Sequence, residues 1–384
     1  MREEKFDIPT IPFDELLEKL PSVISRALVI RCAPEKPVRR AVDGLRKWKV
    51  DIEISVLCHE GREIESCGNI IYPDKGFFHL EKLDLEVLRK RHFNLVVVPY
   101  STNRRLSPYY HNVDRIAGAM EGAEIIILYA DGSALRADRE FVEFKLRTVV
   151  EPYLARKKEA LEEIIAFTGE ELGAVEEKCD LAGLSAISQW IDTQPSNEEE
   201  VLRYYRENDF YIYELMKTEY SGDRDSLVEA VLDEIGPGQR VLDYGGGCGT
   251  FSIPLAQAQA EVTHLDLEGP LLDFVRFRFK RRGLPVKIIA AGAGLPLIET
   301  YDAIVSIYVL EHLSNPEEVL SHMAEHVKPG GNLLVAVDFE ESTVKDSPLP
   351  LHLSNLSRGR YEELTQELGL KRLKSKGELD IFQC

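Results

Sequence analysis

Basic charge is scarce relative to its opposite in this chain. Its 47 Lys and Arg stand against 66 Asp and Glu, a formal net charge of -19 over 384 residues. That sign repels phosphate backbones and anionic lipid headgroups, so nucleic acid and membrane surfaces are poor default partners. Long apolar runs are missing too. No stretch approaches the roughly 18–20 residues a membrane-spanning helix requires. The opening segment MREEKFDIPTIPFDELLEKL is polar and acidic where a signal peptide would be basic and then apolar. The six cysteines (Cys32, Cys58, Cys67, Cys179, Cys248 and Cys384) form no close pair and no metal-like cluster, so reduced thiols in a cytoplasmic protein are expected.

With 44% hydrophobic and 29% charged residues, the composition is that of an ordinary globular protein. The length exceeds what one core usually supports, which predicts two domains joined by helices. The expected division is an N-terminal open α/β domain over 1–135, connecting helices that cover the ligand over 136–223, and a second α/β domain over 224–384.

In the first half, residues 26–31 (RALVIR), 51–57 (DIEISVL), 69–72 (NIIY), 93–98 (FNLVVV) and 123–128 (AEIIIL) read as strands. Helical spacing over 38–48 and 83–91 separates them. Alternating strands and helices predict an open, mostly parallel sheet covered on both faces. The segment after the first strand is CAPEKP, so a dinucleotide fingerprint is absent and the topology alone does not imply NAD. Residues 141–178 read mainly as helix broken near Gly169. Ser196 and Glu199 then form a capping box for one helix running through RYYRENDFYIYELM. The basic run RFRFKRR at 276–282 reads as a solvated helix face and C-terminus.

The strongest chemical signal is QRVLDYGGGCGTFSIP at 239–254. Val241 and Leu242 form a buried strand, Asp243 stands near its end, and Gly245, Gly247 and Gly249 follow at two-residue spacing. A turn without β-carbons lets a ligand approach the backbone, and the next helix offers free N–H groups. A second strand, EVTHL, ends at Asp266, whose carboxylate can accept both hydroxyl hydrogens of a ribose. Leu267 beside it offers an apolar surface to a flat ring.

These residues resemble the first motifs of class I S-adenosylmethionine-dependent methyltransferases. The similarity continues through HLDLEG at 264–269, GLPL at 294–297, YDAIVSIYVLEHL at 301–313 and VKPGGNLLVAV at 327–337. The resemblance implies a seven-stranded Rossmann-like sheet, mostly parallel with an antiparallel hairpin near its end. It implies S-adenosyl-L-methionine as cofactor, with Gly245, Gly247 and Gly249 shaping the pocket and Asp243 supporting the loop and the methionine amino end. Asp266 would hold the ribose and Leu267 would flank adenine. Many relatives carry an aspartate near Ala291 that recognises the adenine amine; here the segment is AAGAGLPL, so backbone groups of Ala291 or Gly292 take more of that task. Tyr213, in the tyrosine-rich segment before the domain, is the first choice for an aromatic contact.

Methyl transfer is an in-line displacement for which alignment of the acceptor matters most. A base is needed only if the acceptor must lose its proton. Candidates at the reacting centre are Tyr308 and His312, at the carboxyl end of the strand over 303–307, and His352 in PLPLHLSNL. Glu311 and His312 form the family's Glu-His pair. No metal is expected, although carboxylates brought together by the fold leave a metal-dependent catechol-type enzyme open. The motif Asn-Pro-Pro-Tyr of amino-group methyltransferases is absent at 306–309, which favours a small-molecule acceptor.

Residues 26–131 resemble the first domain of bacterial ADP-heptose-type glycosyltransferases, carried by RALVIRCAPEKPVRRAVDGLRKWKVDIEISVLC and FNLVVVPYST. That resemblance implies a recognition or assembly module. Tyr100, Ser101, Asn103, Tyr109 and His111 cluster after a parallel strand and read as a candidate site for a glycan or sugar-linked metabolite. Three functions stay open: an active small-molecule methyltransferase, a cofactor-binding structural or regulatory protein, and a protein or RNA methyltransferase with a docking domain.

Overall fold

The computed structural model describes residues 9–74, 78–193, 195, 198–292, 294–339 and 356–384. Ser196 of the expected capping box and His352 lie outside the described residues. The chain divides into two compact units, Met1–Ala155 and Arg156–Cys384.

The first unit is built on β1 (Ile11–Pro12), β2 (Arg26–Ile30), β3 (Glu53–Cys58), β4 (Gly68–Ile71), β5 (Leu95–Pro99), β6 (Glu124–Leu128) and β7 (Ser133–Ala137). They form one sheet in the order β1-β7-β6-β5-β2-β3-β4. The neighbours from β6 through β4 are parallel; β7 is antiparallel to β6, and β1 to β7. Successive residues of β2 enter opposite cores. Ala27 and Val29 pack with Val38 and Leu45, whereas Leu28 and Ile30 pack with Ile116 and Tyr129. Two covered faces are what a parallel sheet of continuous apolar strands demands. The antiparallel edge strand β7, not read in the sequence, follows β6 through a short turn and carries Arg136, whose guanidinium pairs with Glu124 on β6.

The second unit holds β8 (Arg240–Tyr244), β9 (Glu261–Leu267), β10 (Lys287–Ala291), β11 (Tyr301–Ile307), β12 (Val327–Ala336), β13 (Lys371–Lys376) and β14 (Leu379–Gln383). Their order is β10-β9-β8-β11-β12-β14-β13, parallel from β10 to β12 and antiparallel at β14 and β13. This is the seven-stranded sheet with a terminal hairpin that the resemblance implies. Strand order reverses at β8, between β9 and β11. Ligands of open α/β sheets bind outside the carboxyl ends at such a reversal.

The tyrosine-rich segment is two helices, Glu198–Glu207 and Phe210–Ser221, where the sequence reads as one. Asn208 Nδ2 donates to the Tyr204 carbonyl at 2.6 Å, ending the first helix with a side-chain bond that competes with the helical ladder. The break at Gly169 is present: helix Glu151–Thr168 stops there, Gly169 takes φ +76°, and helix Leu172–Thr193 follows.

Candidate active site

The loop after β8 turns through Gly245, Gly247 and Gly249 at φ +68°, +57° and +87°, a region that L side chains rarely adopt. A Cβ at Gly245 would lie 2.6 Å from Val309 Cγ2. The Leu265 carbonyl accepts the N–H groups of Gly245 and Gly246, at 2.8 and 3.1 Å, which ties the loop to the end of β9. The tightest position is Gly246, where a Cβ would meet His264 Cε1 at 2.4 Å and Asp243 Oδ2 at 2.8 Å.

Under this loop lies a buried polar line. The Ser252 hydroxyl donates to Asp243 Oδ2 at 2.5 Å, and Ser252 Oγ stands 2.8 Å from His264 Nδ1. With the serine hydrogen given to Asp243, the imidazole is the tautomer that donates from Nδ1, leaving Nε2 as a buried acceptor without a partner among the described residues. Burial pushes the His264 imidazole down to about 4 and the Asp243 carboxyl up to about 7. A neutral histidine is what this interior tolerates.

Asp266 stands beside the loop at the end of β9. Its Oδ2 accepts the Gly247 N–H and its Oδ1 accepts the Leu267 N–H, both at 2.7 Å. Burial raises the carboxyl to about 6 against the lowering effect of those two bonds. Leu267 pairs in register with Ala291 on β10, so the apolar surface and the segment running into Gly292 lie side by side.

The basic run at 276–282 is a finding against expectation. Arg278 is not on a solvated face; it is 1% exposed. Its Nε donates to Glu163 at 2.9 Å, its Nη2 to Glu219 at 2.5 Å, and its Nη1 to the Cys248 carbonyl of the glycine loop at 2.5 Å. Burial alone would raise the Glu219 carboxyl, but the Arg278 guanidinium overrides it and holds the group below its ordinary value. One side chain thus ties helices Glu151–Thr168, Phe210–Ser221 and Pro270–Arg282 to the loop.

At the carboxyl end of β11, Tyr308 takes φ +56°, an unusual conformation for a bulky residue. The Arg224 guanidinium lies 4.0 Å from its ring centroid, and its hydroxyl donates to Glu378. Glu311 is buried; Oε1 accepts the Asp338 N–H at 3.2 Å, and Oε2 has no partner among the described residues. Burial pushes this carboxyl up to about 7. The His312 ring lies 6.3 Å from that of Tyr205. Tyr213 is turned elsewhere: its hydroxyl donates to Glu170 at 2.9 Å and accepts from Lys178 at 3.1 Å. The aromatic beside the β11 turn is therefore Tyr205, stacked on Tyr211.

Among the described residues one trio of metal-capable side chains, His322, Glu325 and His326, arises from helical spacing. His322 Nε2 already accepts the Leu297 N–H at 3.0 Å, and His326 Nδ1 faces the His322 carbonyl at 2.8 Å, so local structure accounts for the histidines.

In the first unit the polar cluster is mostly spent internally. Tyr100 is fully buried; it donates to Asp114 at 2.5 Å, accepts from the buried Lys145 at 2.7 Å, and stacks on Tyr110. Ser101 bonds the Tyr110 hydroxyl, Asn103 accepts the Asp131 N–H, and His111 faces the Pro108 carbonyl. Tyr109 lies edge-on to Tyr153.

The strand order, the glycine loop and the acidic end of β9 agree with what the resemblance to class I S-adenosylmethionine-dependent methyltransferases implies for this unit. Residues 214–374 match the family described as methyltransferase domain. A demethylmenaquinone methyltransferase from Renibacterium salmoninarum is 38% identical over 110 residues, which is 28% of this chain and 45% of that one. A ubiquinone biosynthesis O-methyltransferase from Proteus mirabilis is 33% identical over 99 residues, 25% of this chain and 40% of that one. The chain spans less than half the length of these two relatives. Among solved structures, magnesium protoporphyrin IX methyltransferase from Synechocystis PCC 6803 is 17% identical, with 53% of this chain and 95% of that one covered at a TM-score of 0.37. No helix among the described residues is long and apolar enough to cross a membrane.

Proposed function

We propose that the second unit binds S-adenosylmethionine and transfers its methyl group to a small-molecule acceptor. The observation that supports this most is the joint placement of Asp266, Leu267 and the positive-φ glycine loop at the strand-order reversal. The residues fit the group. Gly245, Gly246 and Gly247 leave a cradle with no room for β-carbons. Asp266 keeps acceptor capacity beyond its two backbone bonds for ribose hydroxyls, and Leu267 beside Ala291 gives adenine an apolar face. When bound, the cofactor supplies an electrophilic methyl group. The chain holds the acceptor in line and receives any proton it releases.

For that proton we favour Glu311 over His312. Its unpartnered Oε2 is buried at the carboxyl end of β11, and its carboxyl titrates near neutrality. Glu311→Gln is expected to lower kcat by about a hundredfold or more with a hydroxyl acceptor while leaving cofactor Kd within about twofold. His312→Ala should cost far less; the reverse ranking contradicts the assignment.

Affinity for the cofactor should depend on pH through Asp266. The hydroxyl donors of a ribose prefer the carboxylate, and the free group titrates at about 6. Kd is therefore expected to be flat above about pH 7 and to weaken up to about tenfold per pH unit well below 6. A Kd constant from about pH 5 to pH 8 would contradict a ribose held by Asp266.

The acceptor is sought in two classes. The relatives' names carry methylation of demethylmenaquinone and O-methylation in ubiquinone biosynthesis, and the resemblance of the first unit carries sugar-linked metabolites. We favour an oxygen nucleophile, with the first unit as recognition module and residues 136–223 as cover. S-adenosylhomocysteine formation is measured against a panel of quinone-related phenols and sugar-linked compounds. Turnover with a panel member supports the enzyme reading; tight cofactor binding with no turnover on small molecules, but turnover on protein or RNA, replaces it with a macromolecular acceptor.

A further inference from the structure

At Ala291, near where the resemblance implies an aspartate that reads the adenine amine, this chain has none, and a cation, Arg206, stands close to the following residue, Gly292. Arg206 lies in helix Glu198–Glu207, at the end closed by the Asn208 bond. Its carbonyl oxygen is 2.5 Å from where a Cβ of Gly269 would stand, so this helix end presses on the turn that follows Leu267 and Glu268. Its Nη2 lies 3.8 Å from the Cβ position of Gly292. That places the guanidinium beside the segment leaving β10, next to the strand end that carries Leu267.

The guanidinium there is half-buried and makes no hydrogen bond or ion pair with any described residue, and its Nε is fully covered without a partner. A covered cationic donor left unpaired is costly. Arg278, the fully buried arginine of this unit, shows the contrast: it is paired with the carboxylates of Glu163 and Glu219. A covered donor left unmet beside the glycine that follows β10 calls for a ligand that brings acceptors.

We propose that Arg206 reads the adenine ring of the cofactor by donating to its ring nitrogen N7, replacing recognition of the exocyclic amine by an acidic side chain. This rests on the second unit binding S-adenosylmethionine. A consequence separates the two modes. A carboxylate requires the amine hydrogens, so it rejects hypoxanthine, whose O6 is an acceptor. N7 is an acceptor in adenine and in a 6-oxopurine alike, so an arginine that donates to N7 keeps its bond when the amine is replaced by O6. The site is therefore expected to tolerate loss of the adenine amine.

The test is calorimetry of the full chain with S-adenosylhomocysteine and with its deaminated analogue S-inosylhomocysteine, on wild type, Arg206→Met and Arg206→Lys. Wild type should hold the two ligands within about threefold of each other. Arg206→Met, which keeps the alkyl stem and removes the donors, should lose about tenfold or more for both, as expected for hydrogen bonds from a charged donor; Arg206→Lys should recover part of it. The ligand-free thermal midpoint of Arg206→Met should not fall, since the cation has no partner to lose, which separates recognition from a folding defect. Undiminished affinity of Arg206→Met for S-adenosylhomocysteine overturns the proposal, as does a wild type that disfavours the inosyl ligand by about tenfold or more. A folded wild type that binds neither ligand removes the cofactor reading itself.

Discussion

Arg278→Met is expected to destabilise the second unit by about 3–5 kcal/mol, because removing one partner of a buried ionic network strands the others. Glu163, 2% exposed, would keep only Arg282, and Glu219 would lose a bidentate partner. The Cys248 carbonyl would lose its donor as well, so the glycine loop would loosen along with the helices. In a unit of this size the thermal midpoint should drop by about 10 °C. The control is Arg281→Met, three residues on and exposed, which should stay within about 0.5 kcal/mol of wild type. Equal effects at the two positions would show that the network contributes no more than a surface charge.

The second large effect is expected at Gly246. Alanine there drives a methyl group to 2.4 Å from the His264 ring and 2.8 Å from Asp243 Oδ2. Neither side chain can retreat, since each is fixed through Ser252. The loop backbone must move, at a cost of about 1–3 kcal/mol in stability and with loss of measurable cofactor binding. Gly173→Ala, in helix Leu172–Thr193 with open space around its Cβ position, should instead raise stability by up to about 1 kcal/mol. Denaturant unfolding and ligand titration of both variants check this pair; a Gly246→Ala protein that binds like wild type contradicts the described loop geometry.

Those two positions also show what local sequence can and cannot convey. The glycine spacing and the strand ending at Asp266 were readable because both are short-range patterns imposed by backbone conformation. The three glycines at two-residue spacing do have positive φ, yet the most crowded position is the one between them, and only the fold brings His264 against it. Arg278 misleads for a similar reason. Its neighbours make a basic run, while its partners Glu219 and Glu163 lie 59 and 115 residues away along the chain. Arg206 lies in no motif, and the Glu-His motif that holds Glu311 does not say which of the two takes a proton; their unmet polar atoms are visible only in the fold.

In the first unit the strand sequence follows directly from apolar runs covered on two faces, and the five parallel strands appear in the expected places. The added edge, β7, was signalled by Asp131-Gly132 before it, a hairpin dipeptide with Gly132 at φ +91°. The polar cluster after β5 looked like an open ligand edge. Instead Lys145, from a helix over thirty residues later in the chain, buries its charge against Asp114 and Tyr100. The split of the tyrosine-rich segment turned on one side-chain bond, from Asn208, that periodicity cannot register.

The most direct test of the central claim is titration calorimetry of the full chain with S-adenosylmethionine beside its Asp266→Ala variant. The account predicts micromolar binding by wild type and a loss of tenfold or more in the variant, at least about 1.4 kcal/mol, with the variant still folded. A folded wild type that does not bind, or a variant that binds equally well, would contradict a cofactor site built on the glycine loop and the end of β9.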